Sequence, residues 1–242
     1  MTLIECDDRE SWIGLFVDEF RAAARRAKLA HRAALHLCLA GGSTPEPIYR
    51  ALAAHPDPGL PVELWLGDER VVPPGDPGRN GAMVARAFGE ARWPARVHQW
   101  PAGAFEPGLD PAPEELEAAA RRDAAVYAAR LAEAMEGAVA FDLAILGLGS
   151  DGHTASLFPG SGALLERSAS TALVRSPAPP LLRMTLTYPA LALSRRTLFA
   201  VAGAEKAAVV RALAAEDPAL PASAAGGADR AIVYLDEALR SV

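Results

Sequence analysis

Lysine is nearly missing from this chain: of 24 basic residues, only Lys28 and Lys206 are lysine and the rest are arginine. The scarcity belongs to a bias toward Ala, Arg, Gly and Pro that runs the whole length. It excludes no function, but it makes each lysine conspicuous. Cysteine is as rare, with Cys6 and Cys38 alone. Two lone cysteines make no disulfide framework, and the absence of a C-x-x-C spacing removes the usual zinc signature, so no metal is expected. Cys38 lies in an apolar run and reads as a small buried hydrophobe rather than a nucleophile. No stretch of about 18 uncharged apolar residues occurs, which excludes a membrane-spanning helix. The opening MTLIECDDRE carries neither the basic nor the apolar region of a secretory signal, so the expected location is the cytoplasm.

What is present is ample material for a core. Hydrophobic residues make up 51% of the 242 and charged residues 22%, which excludes the disordered and fibrous classes and fits one domain over 1–242. The formal charge of −6 makes nucleic acid and anionic membrane unfavourable partners. An anionic small molecule is compatible with it only if the donors that hold the anion are gathered locally.

Apolar runs alternate with helical patterns. Residues 11–34 read as an amphipathic helix, with Trp12, Leu15, Phe16, Phe20 and Ala24 near helical spacing. A strand at 35–40 stops at Gly41-Gly42-Ser43-Thr44-Pro45, and a helix follows over 46–55. A strand at 62–66 ends in Gly67-Asp68-Glu69-Arg70, followed by a Pro/Gly loop and a helix from Asn80 to about 89. The stretch 101–113 reads as a loop insertion before a long helix over 113–136. A strand at 141–146 ends in Gly147-Leu148-Gly149-Ser150-Asp151-Gly152-His153. Further strands are expected at 171–175, 183–187, 197–202 and 232–235, with a helix to about 215 and a short C-terminal one. Such alternation predicts an α/β fold with a mostly parallel sheet covered on both faces.

In open α/β sheets ligands bind beyond the carboxyl ends of the strands, and here four strands end in polar or glycine-rich clusters. The glycines of Gly41-Gly42-Ser43-Thr44 let backbone N–H groups approach an anion, and the helix that follows adds its dipole; a plain turn with an N-cap fits the same residues. The segment is not a Walker loop, because the terminal Lys is missing. Gly67-Asp68-Glu69-Arg70 reads on its own as a solvated charge run. Gly147, Gly149 and Gly152 satisfy G-x-G-x-x-G, but Pro159 leaves little room for the helix that a dinucleotide site needs. Nor is the segment a nucleophile elbow, since glycine does not occupy position 148. What remains is a glycine-shaped loop presenting Asp151 and His153. Histidine as a residue type titrates nearest neutrality, which suits a general base, and Asp151 or Asp68 is a candidate for fixing its tautomer. His31, His36, His55 and His98 lack such a setting and read as surface or core residues. Arg183 and Lys206 stand beside the ends of apolar strands, where two cations facing the Gly-Ser-Thr turn would complete a phosphate site.

Taken together, LAGGSTP at 39–45, LGDERVVP at 66–73, GLGSDGHTASLFP at 147–159, RMTLT at 183–187 and VAGAEKA at 201–207 resemble the 6-phosphogluconolactonase family. LPAS at 220–223 and a C-terminal YLDEAL match more weakly. The resemblance implies a Rossmann-like three-layer α/β/α sandwich, shared with glucosamine-6-phosphate deaminase and ribose-5-phosphate isomerase. It also implies hydrolysis of 6-phosphogluconolactone in the oxidative pentose phosphate pathway, without a cofactor. In that pattern His153 is the base and Arg70 stands near the reacting carboxyl end. Residues 42–44, Arg183 and Lys206 hold the phosphate. The expected partner is a phosphorylated sugar lactone, and the expected state a monomer or weak homo-oligomer. The alternatives are an aminosugar-phosphate deaminase or isomerase of the same superfamily, or a non-catalytic sugar-phosphate sensor. Two departures from the family pattern border the expected site: Arg79-Asn80 stands where Ser-Asn is common, and Ala178 replaces the Lys of Ser-Pro-Lys-Pro-Pro.

Overall fold

The computed structural model describes residues 1–105, 111–135 and 141–236. These include β1 (Thr2–Cys6), α1 (Arg9–Leu29), β2 (Leu35–Leu39), α2 (Glu46–Ala54), β3 (Val62–Leu66), β4 (Asp68–Arg70), α3 (Asn80–Phe88) and β5 (Ala95–His98). After them come α4 (Pro113–Ala134), β6 (Leu143–Leu146), β7 (Thr171–Arg175), β8 (Leu182–Leu186), α5 (Tyr188–Ala192), β9 (Thr197–Ala202), α6 (Ala207–Ala214) and β10 (Arg230–Leu235). The expected C-terminal helix lies outside the described residues, as does 106–110 of the expected loop insertion.

Local chemistry sets the helix limits. Asp8 caps α1, its carboxylate accepting from the Ser11 N–H at 2.7 Å, while Arg26 and Lys28 in the last turn complement the helix dipole. Trp12, Phe16, Phe20, Ala23 and Ala27 form the buried stripe of α1, and the Trp12 indole donates to Val233 O at 3.0 Å. Pro113 opens α4 at a position where no N–H is needed.

Seven strands form one sheet in the order β1-β10-β9-β6-β2-β3-β5, parallel at every pairing. Every residue of β2 and β6 is buried. Alternate side chains point to opposite faces, so both faces of the central strands are covered, as the three-layer expectation requires. The order also explains how the polar clusters meet. From β2 the chain moves outward through β3 to β5, whereas from β6 it moves the other way through β9 to β10. The switch point therefore falls between β2 and β6, and β9, β6, β2 and β3, whose ends carry all four clusters, are consecutive neighbours.

One expectation is corrected here. Gly67-Asp68-Glu69-Arg70 is not a solvated run: residues 68–70 are strand β4, paired antiparallel to β8, with Asp68 and Glu69 buried. β4, β8 and β7 make a separate three-stranded antiparallel sheet, so two of the expected strands leave the parallel sheet altogether. Strands β1 and β5 and helix α5 are additions that the apolar patterning did not single out.

Candidate functional site

Glycine shapes the loop after β6. The Gly149 N–H donates to His153 O at 2.8 Å and the Gly152 N–H to Gly149 O at 3.0 Å, closing a tight turn, while Thr154 Oγ1 ties back to Gly147 O at 2.8 Å. A Cβ on Gly149 would lie 2.1 Å from His153 Nδ1 and 2.6 Å from Asp151 Oδ1. Glycine there is what allows the ring and the carboxylate to fold over the turn. Asp151 Oδ1 lies 2.5 Å from His153 Nδ1 and accepts from the His153 backbone N–H at 3.2 Å. Burial pushes the Asp151 carboxyl up, but those hydrogen bonds outweigh it and hold it below the usual carboxylate range. The His153 ring leans on Phe158, centroids 4.7 Å apart.

His153 opens onto a cavity of about 370 Å³, a volume suited to a small ligand. The same cavity is lined by Gly41 and Thr44 from the turn after β2, by Asp68, Arg70 and Arg183 from the small sheet, and by Lys206 after β9. Gly42 and Ser43 do not line it. No side chain caps the start of α2, which leaves its first N–H groups without that partner. Of the carboxylates expected beside the histidine, Asp151 is the one in contact; Asp68 is engaged elsewhere. A larger hollow of about 1150 Å³ adjoins through Phe158, Ser176 and Pro177 and includes Asp151, but none of the three cations and no part of the Gly-Ser-Thr turn. The chemistry converges on the smaller one.

The cations are not placed as strand pairing would favour. Arg70 and Arg183 are directly opposite one another across β4 and β8, where like charges destabilise a sheet. Burial first, and then the charge of Arg70, depresses the Arg183 pKa. The Arg183 Nε donates to Pro180 O at 3.1 Å; Arg70 Nη1 donates to Gly78 O, while its Nε is buried without a partner among the described residues. Lys206 Nζ reaches Ser150 Oγ at 2.9 Å and Leu148 O at 3.1 Å, so it is tied to the loop that carries His153.

Beneath the rim, Glu69 is wholly buried and accepts from the backbone N–H groups of Arg70, Asn80 and Gly81 at 2.7–2.8 Å. Burial raises its pKa, against the pull of those donors and of Arg79. The Arg79 guanidinium donates to Val72 O at 3.0 Å and Trp100 O at 2.7 Å, with Nε 3.8 Å from Glu69 Oε2. Thus the two departures from the family pattern differ in kind: Arg79 is buried framework, whereas Ala178 lines the cavity.

Two neighbours of Asp68 were not singled out from the sequence. Asn80 Nδ2 donates to Asp68 Oδ1 at 3.0 Å and to Asp68 O at 2.9 Å, and Ser156 Oγ donates to Asp68 Oδ2 at 2.6 Å. Only the position of Asn80 at a helix start, beside a departure from the family pattern, hinted at it. His36 and His98 flank Trp65 in the sheet, His55 sits by Phe20 and Arg21, and His31 lies on the surface; none of these four reaches the cavity.

Fold and site define an α/β protein with a compact cleft at the carboxyl rim of a parallel sheet, holding one imidazole among several cations. The family described as glucosamine-6-phosphate isomerases/6-phosphogluconolactonase matches residues 7–234, and the chain belongs to it. A 6-phosphogluconolactonase of Streptomyces coelicolor is 37% identical over 226 residues, covering 88% of this chain and 83% of that protein. One from Mycobacterium leprae is 35% identical over 237 residues, covering 95% and 93%. The crystal structure of 6-phosphogluconolactonase from Thermotoga maritima superposes with a TM-score of 0.78 at 26% identity, covering 98% of this chain and 99% of that one. Among the described residues no helix is long and apolar enough to cross a membrane.

Proposed function

We propose that the chain hydrolyses 6-phospho-D-glucono-1,5-lactone to 6-phosphogluconate, the second step of the oxidative pentose phosphate pathway. The observation that carries the reading is a His153 imidazole, held through Nδ1 by Asp151, opening onto a cavity that also holds Arg70, Arg183 and Lys206. With Nδ1–H given to Asp151, the Nε2 lone pair is free to take a proton. The base removes a proton from a water over the ring carbonyl as that water's oxygen bonds to the carbon. The carbonyl pair moves onto oxygen, and this oxyanion needs donors already in place. Arg70, which lines the cavity, and the loop backbone supply them. Collapse expels the ring oxygen, which receives the proton back from His153 as the hydroxyl of the open acid.

Phosphate recognition falls to Gly41 and Thr44 with the start of α2, to Arg183 and to Lys206. General-base catalysis contributes about 10²–10⁴-fold, so positioning through the remote phosphate carries much of the remainder. The decisive experiment is a coupled assay. The lactone is generated from glucose 6-phosphate, and formation of 6-phosphogluconate is compared with and without the protein. Acceleration well above spontaneous opening is expected, and a rate equal to the blank refutes the reading.

A further inference from the structure

We propose that Ser150 is a positioning residue for phosphate recognition: its hydroxyl, together with Leu148 O, pins the Lys206 ammonium to the turn that carries His153. The anion and the base are thereby held in a fixed relation. This rests on the lactonase reading and deepens it.

Lys206 follows β9, whereas Leu148 and Ser150 belong to the loop after β6, and those two strands are neighbours in the sheet. Lys206 Nζ lies 2.9 Å from Ser150 Oγ and 3.1 Å from Leu148 O, so it grips the residues on either side of Gly149. That glycine closes the turn: its N–H donates to His153 O, and its C=O accepts from the Gly152 N–H. Ser150 is exposed and does not line the cavity, whereas Lys206 does. Among the described residues the Ser150 side chain has no other partner, and no carboxylate pairs with Lys206.

An ammonium has three N–H donors. Two go to the loop oxygens, which leaves one for a ligand in the cavity. Both anchors are neutral, so they fix the ammonium without cancelling its charge. Lysine otherwise swings on a four-carbon stem, and ordering that stem during binding weakens its hold on an anion. Holding it beforehand removes that penalty from the binding step. Leu148 O is backbone and persists through any substitution; the Ser150 hydroxyl is the part that a side chain contributes. Ser150 also sits between Gly149 and Asp151, whose carboxylate holds His153 Nδ1. A displaced ammonium is therefore displaced relative to the imidazole, and a phosphate seated on it presents the lactone carbonyl to the base in the wrong place.

The test is a discrimination ratio: kcat/KM on 6-phosphogluconolactone divided by that on unphosphorylated gluconolactone. Ser150→Ala touches neither the cavity wall nor the His153–Asp151 pair. It should lower the ratio about three- to tenfold, through the phosphorylated substrate alone. Ser150→Thr keeps a hydroxyl at that position and should hold the ratio within about twofold of the wild type; a value as low as that of the alanine variant counts against the assignment. In a Lys206→Ala background, Ser150→Ala should change the ratio by less than about twofold, because the group it positions is gone. An unchanged ratio in Ser150→Ala overturns the proposal. So does an equal loss on both substrates, which would make Ser150 a prop for the loop alone. A further loss of similar size without Lys206 overturns it as well, since Ser150 then acts on the ligand directly. If the wild type turns over no lactone, the functional reading fails by itself. Calorimetric titration then decides the Ser150 assignment separately: Ser150→Ala should bind 6-phosphogluconate more weakly by a similar factor and bind gluconate as the wild type does. Equal affinities of the two proteins for 6-phosphogluconate, or none in either, overturn it.

Discussion

A histidine is a base only in one tautomer and one orientation, and in the proposed mechanism the Asp151 carboxylate, two residues away and admitted by Gly149, holds both for His153. His153→Ala is accordingly expected to lower kcat by about 10²–10⁴ with little change in KM. Gly149→Ala should do much of the same damage without touching either group, because its Cβ occupies the space of His153 Nδ1 and Asp151 Oδ1. Steady-state kinetics of both variants check this, and a Gly149→Ala enzyme with normal kcat contradicts the geometry. His153 and Asp151 were legible in the sequence because they sit together in a glycine-rich turn after an apolar strand. Asn80 and Ser156 were not. Each is an ordinary polar residue in its own segment, and each acquires its role only by meeting Asp68 from 12 or 88 positions away.

Strand β4 shows why a short polar segment misleads. Three consecutive charges predict solvent, but Asp68 and Glu69 are buried because donors from α3, the Arg70 N–H and the Ser156 hydroxyl satisfy them, a largely nonlocal fact without a local signature. Arg79 clamps this arrangement. Arg79→Ser, which restores the residue common in the family, should leave Glu69 without its counter-charge and cost about 3 kcal/mol or more of unfolding free energy. Denaturant melts measure it, and adding Glu69→Gln should recover part of the loss. A different segment responds to acid. Glu166 accepts from the N–H groups of Arg167, Ser168 and Ala169 and from the Ser168 hydroxyl, which lower its pKa to about 2. A depressed carboxyl stabilises the fold above its unfolded value of 4.5, and that contribution fades as pH falls toward about 2. Carboxyl NMR titration should place the Glu166 midpoint near the lower value. Glu166→Gln should destabilise from neutral pH down to about 4.5 and make little difference once the pH is below about 2.

Strand order is the least legible property of this chain. Periodicity and apolar runs located β2, β3, β6 and β9, and the clusters at their ends suggested a common rim. Nothing in them says that those four lie side by side, since pairings such as Leu37 with Leu143 and Ala144 with Thr197 join distant segments and follow from how the layers pack. The small antiparallel sheet escaped for the same reason: β7 and β8 have the patterning of any strand, and only packing against the carboxyl rim separates them from the parallel seven. The convergence has a measurable outcome, because Arg183 lies in the small sheet and Lys206 follows β9 of the large one, yet both line one cavity. Lys206→Ala or Arg183→Ala should weaken turnover of the phosphorylated lactone by about tenfold or more, and barely alter that of unphosphorylated gluconolactone. Equal losses on both substrates would remove them from phosphate recognition.

Lys206 has one more use. The other lysine, Lys28, is exposed on α1, whereas Lys206 borders the cavity with its ammonium tied to the loop of His153. An amine-selective acylating reagent thus meets just two lysine side chains, one always open and one guarded by whatever fills the cleft. Peptide masses after brief labelling would report occupancy directly, in the unmutated protein, with Lys28 as the internal standard.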